Sequence, residues 1–169
     1  MLPPPSSESL VLTIVIGAGL AAAVIDVNTR RVPNALTGAV ALTGLLLALS
    51  GYGRIGTGAA LAGGAIGLLL MLPGHLFGAT GGGDVKLLAA LGTLLGPWNT
   101  LTAFTGTAIA GGLIAIAVAM HRQRLGRTLG ATVRLATGSQ AAVEEIEADR
   151  TFAYAPAIAI GAALAAIGV

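Results

Sequence analysis

Two aspartates in an otherwise apolar chain carry side chains capable of chemistry: Asp26, in "AAAVIDVNTRRVPN" (21–34), and Asp84, in "GATGGGDVKLLAALG" (78–92). An ionisable group kept within an apolar span costs a few kcal/mol on insertion scales, so each is a functional candidate. If the two carboxylates meet, both cannot ionise easily and the pair shares a proton. The ionised member can then deprotonate a water while the protonated one donates to a carbonyl oxygen, which is the acid–base division of labour of an aspartic hydrolase. Either aspartate can hold the proton.

A structural account competes for each residue. Asp84 could cap the N-terminus of its helix, where the dipole favours negative charge. Asp26 could pair with Arg30 at i,i+4. The run Gly81, Gly82 and Gly83 tips the balance, because a cap needs one residue and not three bare ones. Their missing side chains let an extended backbone come close and permit unusual φ/ψ.

The elements that must position these groups are membrane helices. Of the 169 residues, 55% are hydrophobic and 9% charged, with a mean hydropathy of +0.89. That is far from a soluble domain and predicts an all-α integral membrane bundle. Small residues such as Gly63 with Gly67, and Gly161 with Ala165, would let backbones approach. Apolar runs separated by breakers predict six spans: about 10–25, 35–50, 55–77, 85–96, 100–120 and 152–169. The segment "MLPPPSSES" lacks the basic region of a signal peptide, so the first span is expected to be retained.

Charge sets the orientation. Arg30, Arg31, Lys86, Arg122, Arg124, Arg127, Arg134 and Arg150 fall on the first, third and fifth connections, leaving only Arg54 opposite. The positive-inside rule then places those connections in the cytoplasm, both termini outside, and Asp26 and Asp84 at the cytoplasmic edge. The fourth span is short. From Asp84 to Gly96 it covers roughly 20 Å of a hydrocarbon core of about 30 Å. It is therefore expected to be buried by its neighbours with Asp84 recessed, rather than to continue through Pro97 and Trp98 with a kink.

With no cysteine and two histidines, thiol catalysis is excluded and no metal or other cofactor is expected. Membrane lipid is an expected partner and nucleic acid is not; the net charge is only +2, and its distribution matters more than its total. The cytoplasmic connection 121–151 offers Leu125, Leu129, Val133 and Ala136 on one helical face, as an amphipathic surface helix would, with a solvated basic linker the equal alternative. Its acidic run Glu144–Asp149 reads as a solvated face. Lys86 stands about 200° round the helix from Asp84 and reads as a snorkelling cation, Arg30 and Arg31 as topology determinants, and Pro33 with Asn34 as the turn into the second span. His75 reads as a satisfied interior histidine, Trp98 as an interface anchor, and Tyr154 and Pro156 as residues that shape a substrate groove.

"GGGDVK" (81–86) resembles the GxGD motif of the type IV prepilin peptidases, and "DVNTRRVPN" (26–34) is similar to their first-aspartate segment. "YAPAIAIG" (154–161) is similar to the family's last helix. The resemblance implies a six-helix aspartic endopeptidase of the cytoplasmic membrane, cutting at the cytoplasmic face. It would remove the basic leader of prepilin-like proteins just before their hydrophobic helix, with Asp26 and Asp84 as the catalytic pair. Gly81, Gly82 and Gly83 would form the backbone approach, with Lys86, Arg30, Pro33 and Asn34 in support. Larger members carry a cysteine-bearing cytoplasmic region associated with N-methylation. This sequence has no cysteine, so it looks like the small branch serving tight-adherence (Flp) pili, without methyltransferase activity. Archaeal preflagellin peptidases share the GxGD logic; presenilin-like proteases share only the motif. A proton- or ion-coupled multipass protein using the same acids as a relay is the alternative of a different kind.

Overall fold

The computed structural model describes residues 7–78, 80–121 and 154–168. Within them the chain is all-helical, with no strand: α1 (Ser7–Thr29), α2 (Asn34–Ser50), α3 (Thr57–Leu76), α4 (Gly82–His121) and α5 (Ala155–Ile167). Three candidate spans, Ser7–Thr29, Thr57–Leu76 and Gly82–Ala117, are long and apolar enough to cross a membrane. The outside of the bundle is correspondingly greasy: Leu20, Leu46, Leu69, Phe77, Trp98 and Ile109 are all exposed. The 121–151 connection, with its amphipathic face and acidic run, lies outside the described residues apart from His121.

The helix ends follow local chemistry. Arg30, in the left-handed region at φ 56°, stops α1, and its N–H donates to the Asp26 carbonyl at 2.7 Å. Pro33 is extended (φ −65°, ψ 137°) and sits at the N-cap of α2. Gly51 ends α2 with φ 75°, a conformation that costs glycine no Cβ strain.

α4 is broken. Gly96 has φ 77° and ψ 176°, so two helical arms meet there. The residue before a proline avoids the α region, and Pro97 lacks an N–H that a helix start leaves unpaired anyway. Thr100 Oγ1 then donates to the Gly96 carbonyl at 2.6 Å, the back-bond to residue i−4 that a helical threonine can make. The expected choice between a short buried span and a kinked continuation resolves into both. The first arm is nearly all buried, with Leu87, Leu88 and Leu91 at 0% exposure, and the chain turns sharply at Gly96 before running on.

Gly96 occupies a region essentially confined to glycine, which costs other residues about 1–3 kcal/mol. A Cβ there would meet only Ile55 at 3.4 Å, so the cost is in the backbone. Gly96→Ala is thus expected to destabilise the fold by about 1–3 kcal/mol, read as a lower melting temperature in detergent, and an unchanged melting curve would show that the break tolerates a side chain.

Glycines bring the first arm into the centre. A Cβ on Gly63 would collide with the Gly92 carbonyl, one on Gly67 with the Leu88 carbonyl, and one on Gly44 with Thr93. The second arm packs on α5 in the same way, Gly161 lying against Ala103 and Thr107. α1 closes on α5 through Gly19 and Ala159. Close backbone approach through small residues is how helices associate where hydrophobic burial gives no driving force.

Candidate active site

Both aspartates reach one cleft. Asp26 lies on the last full turn of α1, 6% exposed, and Asp84 lies in the first turn of α4, 7% exposed. Together with Arg30, Arg31, Val32, Asn34 and the three glycines they line a cavity of about 240 Å³. The Asp26 carboxylate stands within electrostatic reach of Asp84. Tyr154, at the start of α5, stands within electrostatic reach of Asp84.

Each carboxylate is oriented by main chain. Asp84 Oδ2 accepts from the Gly81 N–H at 3.1 Å. This is the backward reach of an N3 acid to the residue capping its own helix, so the expected capping role is present alongside the place in the cleft. Asp26 Oδ2 accepts from the Ala155 N–H at 3.2 Å, tying α1 to the first turn of α5, 129 residues away. The helix N-terminus of α5 leaves such N–H groups unpaired and favours an anion.

Asp26 is thus also a tertiary cap. Asp26→Asn keeps a carbonyl oxygen for the Ala155 N–H, whereas Asp26→Ala strands that buried donor. The alanine variant is expected to be less stable than the asparagine variant by about 1 kcal/mol, within the range for lost caps. Thermal unfolding of the two proteins side by side checks this, and equal melting points would mean that Asp26 does not hold α5.

The glycine run differs from expectation in its conformation. None of Gly81, Gly82 or Gly83 has positive φ; among the described residues the positive-φ glycines are Gly51, Gly78, Gly96 and Gly168. Gly82 and Gly83 are ordinary first-turn helical residues, and what they lack matters for their neighbours. A Cβ on Gly83 would lie 3.1 Å from Val32 Cβ and 3.3 Å from Val32 N, so the α1–α2 link presses directly on the start of α4. A Cβ on Gly82 would touch the His75 ring at 3.4 Å, and one on Gly81 would lie 3.1 Å from Asp84 Oδ2.

The supporting residues divide. Arg30 and Arg31 line the cleft itself. Lys86 lies outside it. Its Nζ donates to Asn34 Oδ1 at 2.9 Å, fastening the start of α2 to α4, while Asn34 faces the cleft. Pro33 acts through the backbone as the α2 N-cap. His75 is exposed and not interior; its Nδ1 lies 3.1 Å from the Thr80 carbonyl, bracing the turn that leads to Asp84. The Ala155 N–H and Val32 carry no side-chain signature, and the sequence reading missed both.

The fold and cleft define a helical protein of membrane type holding two buried carboxylates from distant segments in one cavity. The chain belongs to the type IV leader peptidase family, whose sequence model matches residues 13–116, a stretch that includes both aspartates. No curated protein and no solved structure matches the chain.

Proposed function

We propose that the protein is an aspartic endopeptidase that removes the leader of type IV prepilin-like proteins at the cytoplasmic face of the inner membrane. One observation carries this: Asp26 and Asp84 are both buried and line a single cavity. Family membership supplies the peptidase class. One carboxylate takes a proton from water, whose oxygen attacks the scissile carbonyl carbon, while the other, protonated, donates to the carbonyl oxygen. Collapse breaks the C–N bond, the amine takes a proton, and the leader leaves with a new carboxyl terminus. The main-chain donors Gly81 N–H and Ala155 N–H keep the two carboxylates aimed while the proton moves.

The charges support the orientation. Arg30 and Arg31 sit at the cleft with Lys86 just beyond it, whereas Arg54 Nη1 donates to the Ala166 carbonyl at the far end of α5. The positive-inside rule puts the cleft end in the cytoplasm, and counting the arms of α4 separately gives a six-span reading with both termini outside. A substrate with a basic leader and a hydrophobic helix would bring its cleavage point to this edge.

The test is direct. Purified protein incubated in detergent with a prepilin should yield a product shorter by the leader, read by gel mobility and mass. Proton-dependent transport in vesicles without any cleaved product would instead make the same acids a relay.

A further inference from the structure

A second cavity, of about 540 Å³, adjoins the cleft. It is a trench between α2 and α3, floored by the first arm of α4. From its near end, at Asn34, Leu68 and Lys86, it runs to Ala41, Leu61 and Thr93. Seven residues at about 1.5 Å each make it about 10 Å long, or two helical turns.

Three features define its occupant. The near end adjoins the cleft, because Asn34 lines both cavities. The far end is bounded by Thr93, whose Oγ1 donates to the Ala90 carbonyl of its own helix at 2.7 Å, lies 3.4 Å from the Ala41 carbonyl and fills the space beside Gly44. The sides are lined by small residues, among them Gly38 and Ala65, both exposed, and a Cβ on Gly38 would meet nothing within 4 Å. Small residues along a trench wall admit a helix backbone closely. A helix that begins at the near end presents its unpaired first-turn N–H groups beside Asn34 Oδ1, which has a lone pair left after accepting from Lys86.

We propose that this trench seats the first two turns of the substrate's apolar helix, the segment that directly follows the bond cut in the cleft. The inference rests on the peptidase reading and adds where the retained part of the substrate binds. Substrate length beyond two turns makes no contact with the trench.

Two measurements test it. In steady-state cleavage of a prepilin, Gly38→Leu and Ala65→Leu, which fill the trench, are expected to raise KM about tenfold with kcat nearly unchanged, the pattern of lost uniform binding. Gly17→Leu is the matched control, since its added Cβ also meets nothing within 4 Å but lies on α1 away from the trench, and its KM should stay at the wild-type value. Unchanged KM in both filled variants overturns the proposal.

The second measurement needs no turnover. The natural chain has no cysteine, so Gly38→Cys can be oxidised against prepilins that each carry one cysteine at successive helix positions. Disulfides are expected with the first two turns after the cleavage point and not further along. Capture at distant positions only, a Gly38→Cys homodimer in place of the mixed species, or labelling of the trench by a photoactivatable phospholipid with no prepilin captured, each overturns it. If the wild-type protein cleaves nothing, the peptidase reading fails while the trap still decides the trench.

Discussion

Asp84→Asn is expected to leave a folded, membrane-inserted protein whose prepilin cleavage falls by about 10³-fold, and Asp26→Asn should do the same. The magnitude is that of removing a positioned general acid or base, about 10²–10⁴. Asparagine nearly reproduces the shape of aspartate and retains a carbonyl oxygen, so the Gly81 N–H and the Ala155 N–H keep acceptors in the two variants. What is lost is the ability to take or give a proton. Because the two groups act as one unit, the double variant should be little worse than either single one, a non-additivity typical of catalytic constellations. Product formation under single turnover, with protein level and melting point recorded in parallel, reads the outcome. Near wild-type cleavage by either single variant eliminates the two-aspartate mechanism, and additive losses would mean that the carboxylates act in separate steps.

Hydropathy located the helices because burial in lipid and burial in protein demand the same apolar residues, which is why α1, α3 and both arms of α4 follow the runs of the sequence. The ends were less legible. α4 begins at Gly82 and not at residue 85, since glycines that look like a breaker are admitted to a first helical turn when Asp84 reaches back to the Gly81 N–H. The break at Gly96 was written in the dipeptide Gly96-Pro97, but hydropathy alone is blind to it and reads the stretch as one span or two. For the site, the acidic residues were visible because acids are scarce in apolar spans. The donor that holds Asp26 was not, because a main-chain N–H at Ala155 is the same atom in any residue except proline, and only the arrival of α5 beside α1 gives it a role. Likewise a glycine run announces that something comes close without saying what. The conformational reading failed at residues 81–83, and the steric one identifies Val32.

That steric contact predicts the second large effect. Gly83→Val is expected to cut kcat/KM by about 10²-fold, the scale of misplacing a reacting group by roughly 1 Å. The added Cβ would stand 3.1–3.4 Å from the Cβ, N and O atoms of Val32, tighter than ordinary contact, and the two further methyl carbons of valine need more room still. Backbone atoms do not swing aside as a flexible side-chain end does. Val32 is itself anchored, 8% exposed and part of the hydrophobic core, so the strain passes to the link that follows Asp26 and opens the α2 and α4 sides of the cleft. The helix itself is not weakened, since valine has a better helix propensity than glycine. The variant should therefore fold but hold its carboxylates at the wrong separation. Gly82→Ala provides the contrast, because its Cβ meets the exposed His75 ring at 3.4 Å, an ordinary van der Waals distance, and the ring can shift. Cleavage kinetics for the pair, with melting points to establish folding, separate the two positions. If Gly83→Val cleaves as fast as Gly82→Ala, the contact with Val32 does not set the width of the cleft, and the bare backbone at the head of α4 serves some end other than bringing Asp84 towards Asp26.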